Sequence, residues 1–390
     1  MKEGFWSRLL ISIFAVSGIA FIGFIAVLFT ALLGGYKFYT PLVAIITVGL
    51  AIYVVILIFQ LLSGRIRRII FLSFTGLCLL ATAGYEINKA YVNSITIVSE
   101  QEVNLTQYAP FTEGSKVAVL DEPSSYHIES DLPRLDGATA LYPLYSAFAQ
   151  AVYPKDTYEP YDYKNGKVIC TTTPDAYKLL MSGETDIIFV TAPSLSQQKE
   201  AEAQGLELKL TPIGREAFVF FVNKRNPITG LTSAQIKEIY SGKLTNWKEV
   251  GGNNDPIRAF QRPQNSGSQT MLEKFMGDTP LMIPPKEDVA GLMSGIIHQT
   301  SSYRNYKNAI GYSFLFYASE MNRSGEIALL DIDGVTPNKD NIRAGQYPLS
   351  AQFYAVTAGS DNPNIQPFLD WILSPQGQEL VEKTGYTSLK

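Results

Sequence analysis

Residues 168–190 read VICTTTPDAYKLLMSGETDIIFV, and this stretch changes period twice. Val168–Thr171 is a β-branched run of strand type. Pro174–Met181 sets Tyr177, Leu180 and Met181 on one helical face, and Asp186–Val190 returns to strand type. Gly183 stands just past the helical part, where a left-handed closing residue is favoured. Strand, helix and strand in succession predict an α/β domain. The alternation continues outward. Further strands are expected at Ala217–Asn223, Ile257–Phe260 and Gln352–Thr357. Further helices are expected at Leu141–Val152, Ser233–Tyr240, Gln269–Met276, Ile365–Leu373 and Pro375–Lys383. Gly242 and Gly385 sit just past two of these helices. Residues 95–131 mix Ser, Glu, Pro and short apolar pairs without a sustained period, which predicts an extended linker.

Before that linker the chain is of another kind. Leu9–Tyr36 and Phe38–Gly64 contain no charged residue, and a third, shorter apolar run covers Ile69–Tyr85. A hydrocarbon layer about 30 Å thick needs ~20 helical residues, so each run is long enough to cross once. Residues 1–94 are therefore expected to be a membrane domain with transmembrane helices at about 9–33, 40–62 and 69–87. Gly34, Gly35, Lys37 and Pro41 mark the first turn, and Gly64 with Arg65, Arg67 and Arg68 marks the second. Positive loops favour the cytoplasmic side, so the arginine cluster places the second turn and the N-terminus inside. Residues after about 88 are then extracytoplasmic, and membrane lipid is a partner through all three spans. Arg65–Arg68, the apolar run and Ala81-Thr82-Ala83 together have the form of a signal peptide with its cleavage site, but this segment is the third in a series of spans, which argues against cleavage. Cys78 lacks the small preceding residue of a lipoprotein site. With no Asp, Glu, Lys, Arg or His inside the runs, they read as an anchor rather than an ion pathway.

Composition removes several functions. The chain of 390 residues has two cysteines and two histidines. Cys78 lies within an apolar run, so only Cys170, His127 and His298 remain for a metal, too few for a structural zinc site. No disulfide can join Cys78 to Cys170. Residues 95–390 carry a net charge of −9 against +5 for residues 1–94, which argues against nucleic acid as a partner. Gly137-Ala138-Thr139-Ala140 lacks the Gly-Lys-Ser/Thr of a phosphate-binding loop, and Ser266 lacks the Gly-x-Ser-x-Gly frame of a nucleophile elbow. His127 reads as a solvated linker residue, His298 as a helix-end residue and Cys170 as a buried strand residue close to the candidate site. No cofactor, metal or catalytic group is expected.

Three helices begin alike: after Gly137-Ala138-Thr139, after Thr171-Thr172-Thr173-Pro174, and after Asn265-Ser266-Gly267-Ser268. Each start joins a hydroxyl to small neighbours, and Pro174 suits a first helical position. Unpaired N–H groups and the positive dipole end make helix starts anion-binding. Ser and Thr are also ordinary caps, so one such start alone carries nothing. Three in one domain, with Arg262 four residues before Ser266, point to an oxyanion.

These motifs, with Asn226-Pro227, the run Leu231-Thr232-Ser233-Ala234-Gln235-Ile236 and the run Ile239-Tyr240-Ser241-Gly242-Lys243-Leu244-Thr245-Asn246-Trp247, resemble the substrate-binding proteins of phosphate ABC transporters. Asn308-Ala309-Ile310-Gly311-Tyr312 and the ending Phe368-Leu369-Asp370-Trp371 with Ser374-Pro375-Gln376-Gly377-Gln378 fit the same pattern. The resemblance covers roughly residues 132–390, and the three N-terminal spans are an addition to it. It implies an α/β, two-lobed periplasmic-binding-protein-like ectodomain of type II, with lobe one at about 132–212 and 346–390 and lobe two at about 213–345. The lobes would close on a dehydrated tetrahedral oxyanion. By motif, its contacts would be Thr139 with the N–H of Ala140, Thr173 or Thr172, and Arg262 with Ser266, Gly267 and Ser268. After the strand at 186–190 the family places a carboxylate that accepts a proton from phosphate; here that position is Thr191. A hydroxyl either accepts or donates, so rejection of fully ionised sulfate is expected to be weaker.

The expected function is a membrane-anchored solute-binding protein that captures inorganic phosphate for an ABC permease and its ATPase, and not an enzyme. A phosphate sensor signalling through the spans, and a surface scaffold with an altered ligand, are the alternatives that sequence leaves open.

Overall fold

Three helices, α1 (Lys2–Leu32), α2 (Tyr39–Phe59) and α3 (Gly64–Ser94), build the first of two units, Met1–Ile95. The computed structural model describes residues 2–32, 35, 38–94, 97–99, 104–283, 302–304, 306–321 and 327–389; Gly34, Lys37 and His298 lie outside them. Within the helices, stretches of 29, 21 and 28 residues are long and apolar enough to cross a membrane. Their large side chains, Phe14, Ile22 and Leu72 among them, are exposed, as surfaces facing lipid must be. α1 and α2 pack closely, and Gly23 admits the Thr47 side chain where a Cβ would collide with it. One expectation is corrected. Arg65, Arg67 and Arg68 do not form a loop but lie in the first turn of α3, and the connection shrinks to residues 60–63, closed by left-handed Gln60. Arginine is a good helix former, and its long stem carries the charge to water while the backbone stays helical.

The second unit, Thr96–Lys390, alternates strands and helices. In chain order come β1 (Ile97–Ser99), β2 (Leu135–Gly137), α4 (Tyr142–Val152), α5 (Thr173–Met181), β3 (Ile187–Val190), α6 (Leu195–Ala203) and β4 (Lys209–Asn223). There follow β5 (Gly230–Leu231), α7 (Ser233–Tyr240), β6 (Arg258–Ala259), α8 (Gly267–Met276), β7 (Ser302–Arg304) and β8 (Ala309–Phe314). The last are β9 (Ile327–Leu329), β10 (Asp331–Ile332), α9 (Lys339–Arg343), β11 (Ser350–Thr357), α10 (Ile365–Ile372) and α11 (Pro375–Thr384). β1 pairs with β7 and β5 with β10 in small two-stranded sheets.

The main sheet runs β2-β3-β11-β4-β8-β6, with β9 added beside β4. β4, 15 residues long, serves both halves: Lys209–Ala217 pairs with β11, and Phe218–Val222 with β8. Each half carries its own core. Tyr145 and Phe148 of α4, Phe189, Phe368, Trp371 and Leu380 pack on one face of the first half. Tyr177 of α5, with Ile188, Val190 and Val356, forms a smaller cluster. Phe218, Phe220, Tyr240, Trp247, Leu272 and Tyr312 fill the second half. Burial of apolar surface at about 25 cal/mol per Å² makes these clusters the main stabilising contribution.

Most expected elements fall within a few residues of the observed ones; three differ for identifiable reasons. Val168–Thr171 is not a strand, since only an isolated parallel bridge joins Val168 to Leu135. Beyond it the Cys170 N–H donates to the Pro160 carbonyl and the Thr171 N–H to the Asp136 carboxyl, so no ladder can continue. β4 begins at Lys209, well before the expected Ala217, although Pro212 and Gly214 lie within it. The missing N–H of Pro212 is tolerated where the register against β11 shifts, between Phe353 and Tyr354. Finally, residues 104–131 do not hang free as a tether. Leu105, Tyr108, Val117 and Ile128 are buried in the same cluster as Tyr145, and the Ile128 N–H donates to Val152 O at 2.8 Å.

Candidate functional site

The first helix start is set by how tightly β2 meets β3. A Cβ on Gly137 would lie 2.3 Å from the Phe189 carbonyl oxygen, so only glycine fits. The Ala138 N–H donates to that same oxygen at 2.9 Å. The chain then turns through a 3₁₀ segment, Thr139–Leu141, into α4, with Thr139 buried. The Ala140 carbonyl accepts from the Tyr386 hydroxyl.

The second start is strained. Thr172, the residue capping α5, has φ +80° and makes no capping bond through its side chain. A β-branched residue at positive φ costs on the order of 1–3 kcal/mol, and such strain persists only where neighbours enforce it. The residue just before Thr172 is held by Asp136. Its Oδ1 accepts from the Thr171 N–H at 2.8 Å and the Gly137 N–H at 2.7 Å, and its Oδ2 accepts from the Thr171 hydroxyl. Full burial pushes this carboxyl up to about 7, against the opposing pull of those bonds and of Arg134. α5 then opens on buried Thr173, with Pro174 in its first turn.

The third start comes from the other half of the sheet. Asn265, at φ +66°, precedes Ser266, whose hydroxyl caps α8 by accepting from the Gln269 N–H. The Arg262 N–H donates to Gln269 Oε1 and to the Tyr312 hydroxyl, and its Nη1 donates to Ser268 Oγ at 2.6 Å. The guanidinium is thus held beside the helix start.

The two halves meet at Gly267. The place of its Cβ is 3.0 Å from Thr191 Oγ1 and 3.3 Å from Thr173 Oγ1. Thr191 is 5% exposed, and its hydroxyl has no hydrogen-bond partner among the described residues. A second bridge lies nearby, where the Ser194 and Ser196 hydroxyls donate to Asn265 Oδ1 at 2.8 and 2.6 Å. Thr173, Thr191, Arg262, Ser266, Gly267 and Ser268 are therefore brought together by contact or by a shared helix start. Ala140 and Thr191 also line one small apolar cavity with Glu216 of β4. Thr139 is reached less directly, 4.0 Å from Cys170 Sγ, and Thr172 contributes its backbone turn.

Arg262 is the one charged group among the nine residues singled out by sequence. Two buried carboxyl groups nearby escaped that reading. Asp136 stands directly before the Gly137-Ala138-Thr139 start and was given no role, and an acid beside that start was the available signal. Glu216 gave none, since its place at the cavity follows from β4 joining both halves. Burial pushes Glu216 up to about 8 against the Phe316 N–H that it accepts from, so it is largely neutral near pH 7. Cys170 is buried as expected, and burial pushes its thiol up to about 12, far from a nucleophile. His127 is exposed, and among the described residues no cluster of His, Cys, Asp and Glu could hold a metal.

The chain is 29% identical over 189 residues to the phosphate-binding protein PstS of Bacillus subtilis, a match spanning 47% of this chain and 60% of that relative. PstS of Staphylococcus saprophyticus is 28% identical over 228 residues, 56% of this chain and 69% of the relative. Among solved structures, a Clostridium perfringens protein described as a phosphate ABC transporter substrate-binding protein with bound phosphate aligns at 25% identity and a TM-score of 0.50. That alignment covers 66% of this chain and 99% of the other. Residues 129–376, which hold all three helix starts and the strand shared by both halves of the sheet, match the PBP superfamily domain, and the chain belongs to that superfamily.

Proposed function

We propose that this protein is a membrane-anchored, extracytoplasmic solute-binding protein that captures inorganic phosphate for an ABC transporter. One observation carries the reading. The backbone of Gly267 faces the Thr173 and Thr191 hydroxyls at the meeting of the two halves, with Arg262 fixed beside the same helix start. Donors from three chain turns and one guanidinium suit an anion stripped of water, and each charge-assisted bond is shorter and stronger than a neutral one.

In this reading the two halves of the sheet are the lobes of a type II binding protein, about 132–212 with 346–390 and about 213–345. The phosphate contacts are Thr139, Ala140, Thr173 with the Thr172 turn, Thr191, Arg262, Ser266, Gly267 and Ser268. Hinge closure about β4 buries the anion, and Asn265 meeting Ser194 and Ser196 holds the closed form. A permease and its ATPase then accept the phosphate. The arginines at the start of α3 put the N-terminus in the cytoplasm and residues after about 88 outside. Three spans confine the binding domain near a permease, raising its effective concentration there.

Isothermal titration of the full chain in detergent with inorganic phosphate tests the proposal, with Arg262→Ala as the control. The wild type should bind at micromolar or tighter Kd. The variant should lose about 1.5–3 kcal/mol, roughly 10- to 150-fold, the contribution of a charge-assisted hydrogen bond. A wild type that does not bind phosphate would end the capture reading.

A further inference from the structure

Asp136 is fully buried in the middle of the three-residue strand β2, a place where a carboxyl is disfavoured both by conformation and by lost hydration. Its retention there needs a cause, and its hydrogen bonds supply one. All three come from two short stretches of chain: Gly137, which runs directly into Ala138, Thr139 and Ala140, and Thr171, which runs directly into Thr172 and Thr173. Upstream these two stretches are joined by backbone bonds, Leu135 N–H to Lys167 O and Ile169 N–H to Leu135 O. At Thr171 that pairing gives way to the Asp136 side chain, and one residue later Thr172 takes its positive φ.

We propose that Asp136 is the positioning residue of the oxyanion site: one buried carboxyl, accepting from both turns at once, holds the Thr139–Ala140 start and the Thr173 start in the register at which both face the same ligand. The inference rests on the phosphate reading above. Without the carboxyl, Thr171 has lost the partner of both its N–H and its hydroxyl. The Thr172 turn can then relax to negative φ, which rotates Thr173 away from Gly267. Asparagine is the discriminating replacement. Its Oδ1 can accept both N–H groups, and its Nδ2 can donate to the Thr171 hydroxyl, so it preserves the clamp without the acid. Alanine preserves nothing.

Titration calorimetry of the full chain in detergent with inorganic phosphate, on wild type, Asp136→Asn, Asp136→Ala, Thr171→Val and Thr171→Ser, tests this, with thermal melts to confirm folding. Asp136→Ala should raise Kd at least tenfold, and Asp136→Asn should stay within about threefold of wild type. Thr171→Val, which removes only the hydroxyl arm and serves if the alanine variant does not fold, should raise Kd threefold or more, with Thr171→Ser restoring it. A merely structural role would lower the melting temperature of Asp136→Ala without changing Kd well below the melt. A folded alanine variant binding within twofold of wild type, an asparagine variant as weak as alanine, or an unchanged Thr171→Val would each overturn the proposal. A wild type that does not bind phosphate would instead overturn the oxyanion reading, and this inference with it.

Discussion

Thr191 Oγ1 lies 3.0 Å from the point where a Cβ would stand on Gly267, and it is a buried hydroxyl without a hydrogen-bond partner among the described residues. A buried polar group left unpaired costs roughly 1–3 kcal/mol, and in the proposed reading its partner is a ligand entering between the two halves.

Gly267→Ala puts a methyl group into that space, between Thr191 and Thr173. The position starts a helix and has no positive φ, so alanine should fold well there, while the methyl displaces the anion. Phosphate affinity should fall at least about tenfold, near 1.4 kcal/mol, with only a small change in melting temperature as Thr191 gives way. Calorimetry and a thermal melt check both; unchanged affinity would remove Gly267 from the contact set.

Thr191 also bears on selectivity. With a hydroxyl rather than a carboxylate here, phosphate and sulfate should bind with Kd values within about tenfold of each other, a difference under about 1.4 kcal/mol. Thr191→Asp should weaken sulfate at least about tenfold while changing phosphate far less, because only phosphate brings a proton to donate. Paired titrations with the two anions decide; a wild type that strongly prefers phosphate would show that another group performs the discrimination.

Asn265 accepts from Ser194 and Ser196 across the gap between the halves. Asn265→Gly keeps the left-handed backbone and removes the acceptor. At about 0.5–1.5 kcal/mol net for each of the two bonds, phosphate should dissociate roughly 5- to 150-fold faster, with association little changed. Stopped-flow displacement reads this directly.

Glu216 makes stability depend on pH with a definite sign. Its folded carboxyl is raised to about 8 from 4.5, so between those values the folded chain holds a proton that the unfolded chain releases. The contribution is complete below about pH 4.5 and is lost as pH rises through about 8. Glu216→Gln keeps an acceptor for the Phe316 N–H and does not ionise. Melted side by side, the variant should gain on wild type by roughly 3 °C or more between pH 5 and pH 8. A constant difference over that range would show that Glu216 does not titrate on unfolding.

The sequence by itself determined whatever depends on local pattern. Uninterrupted apolar runs predicted three spanning helices, because crossing a hydrocarbon layer is a matter of length and missing charge. Helical periodicity located α4, α5, α7, α8, α10 and α11, and hydroxyls beside glycine or proline marked three of their starts. Tertiary structure decided what depends on distant segments meeting. Pro212 and Gly214 break the local pattern in the first half of β4, which becomes a strand by pairing with β11 and bulging at Ile213. Thr191 and Gly267 come from opposite halves of the sheet, and nothing in either local pattern encodes their 3.0 Å approach. The same holds for Asp136, whose motif was visible but whose acceptors face a turn 35 residues away. Periodicity is written by neighbours three or four positions apart; a site assembled across a sheet is written only by the packing that brings its strands together.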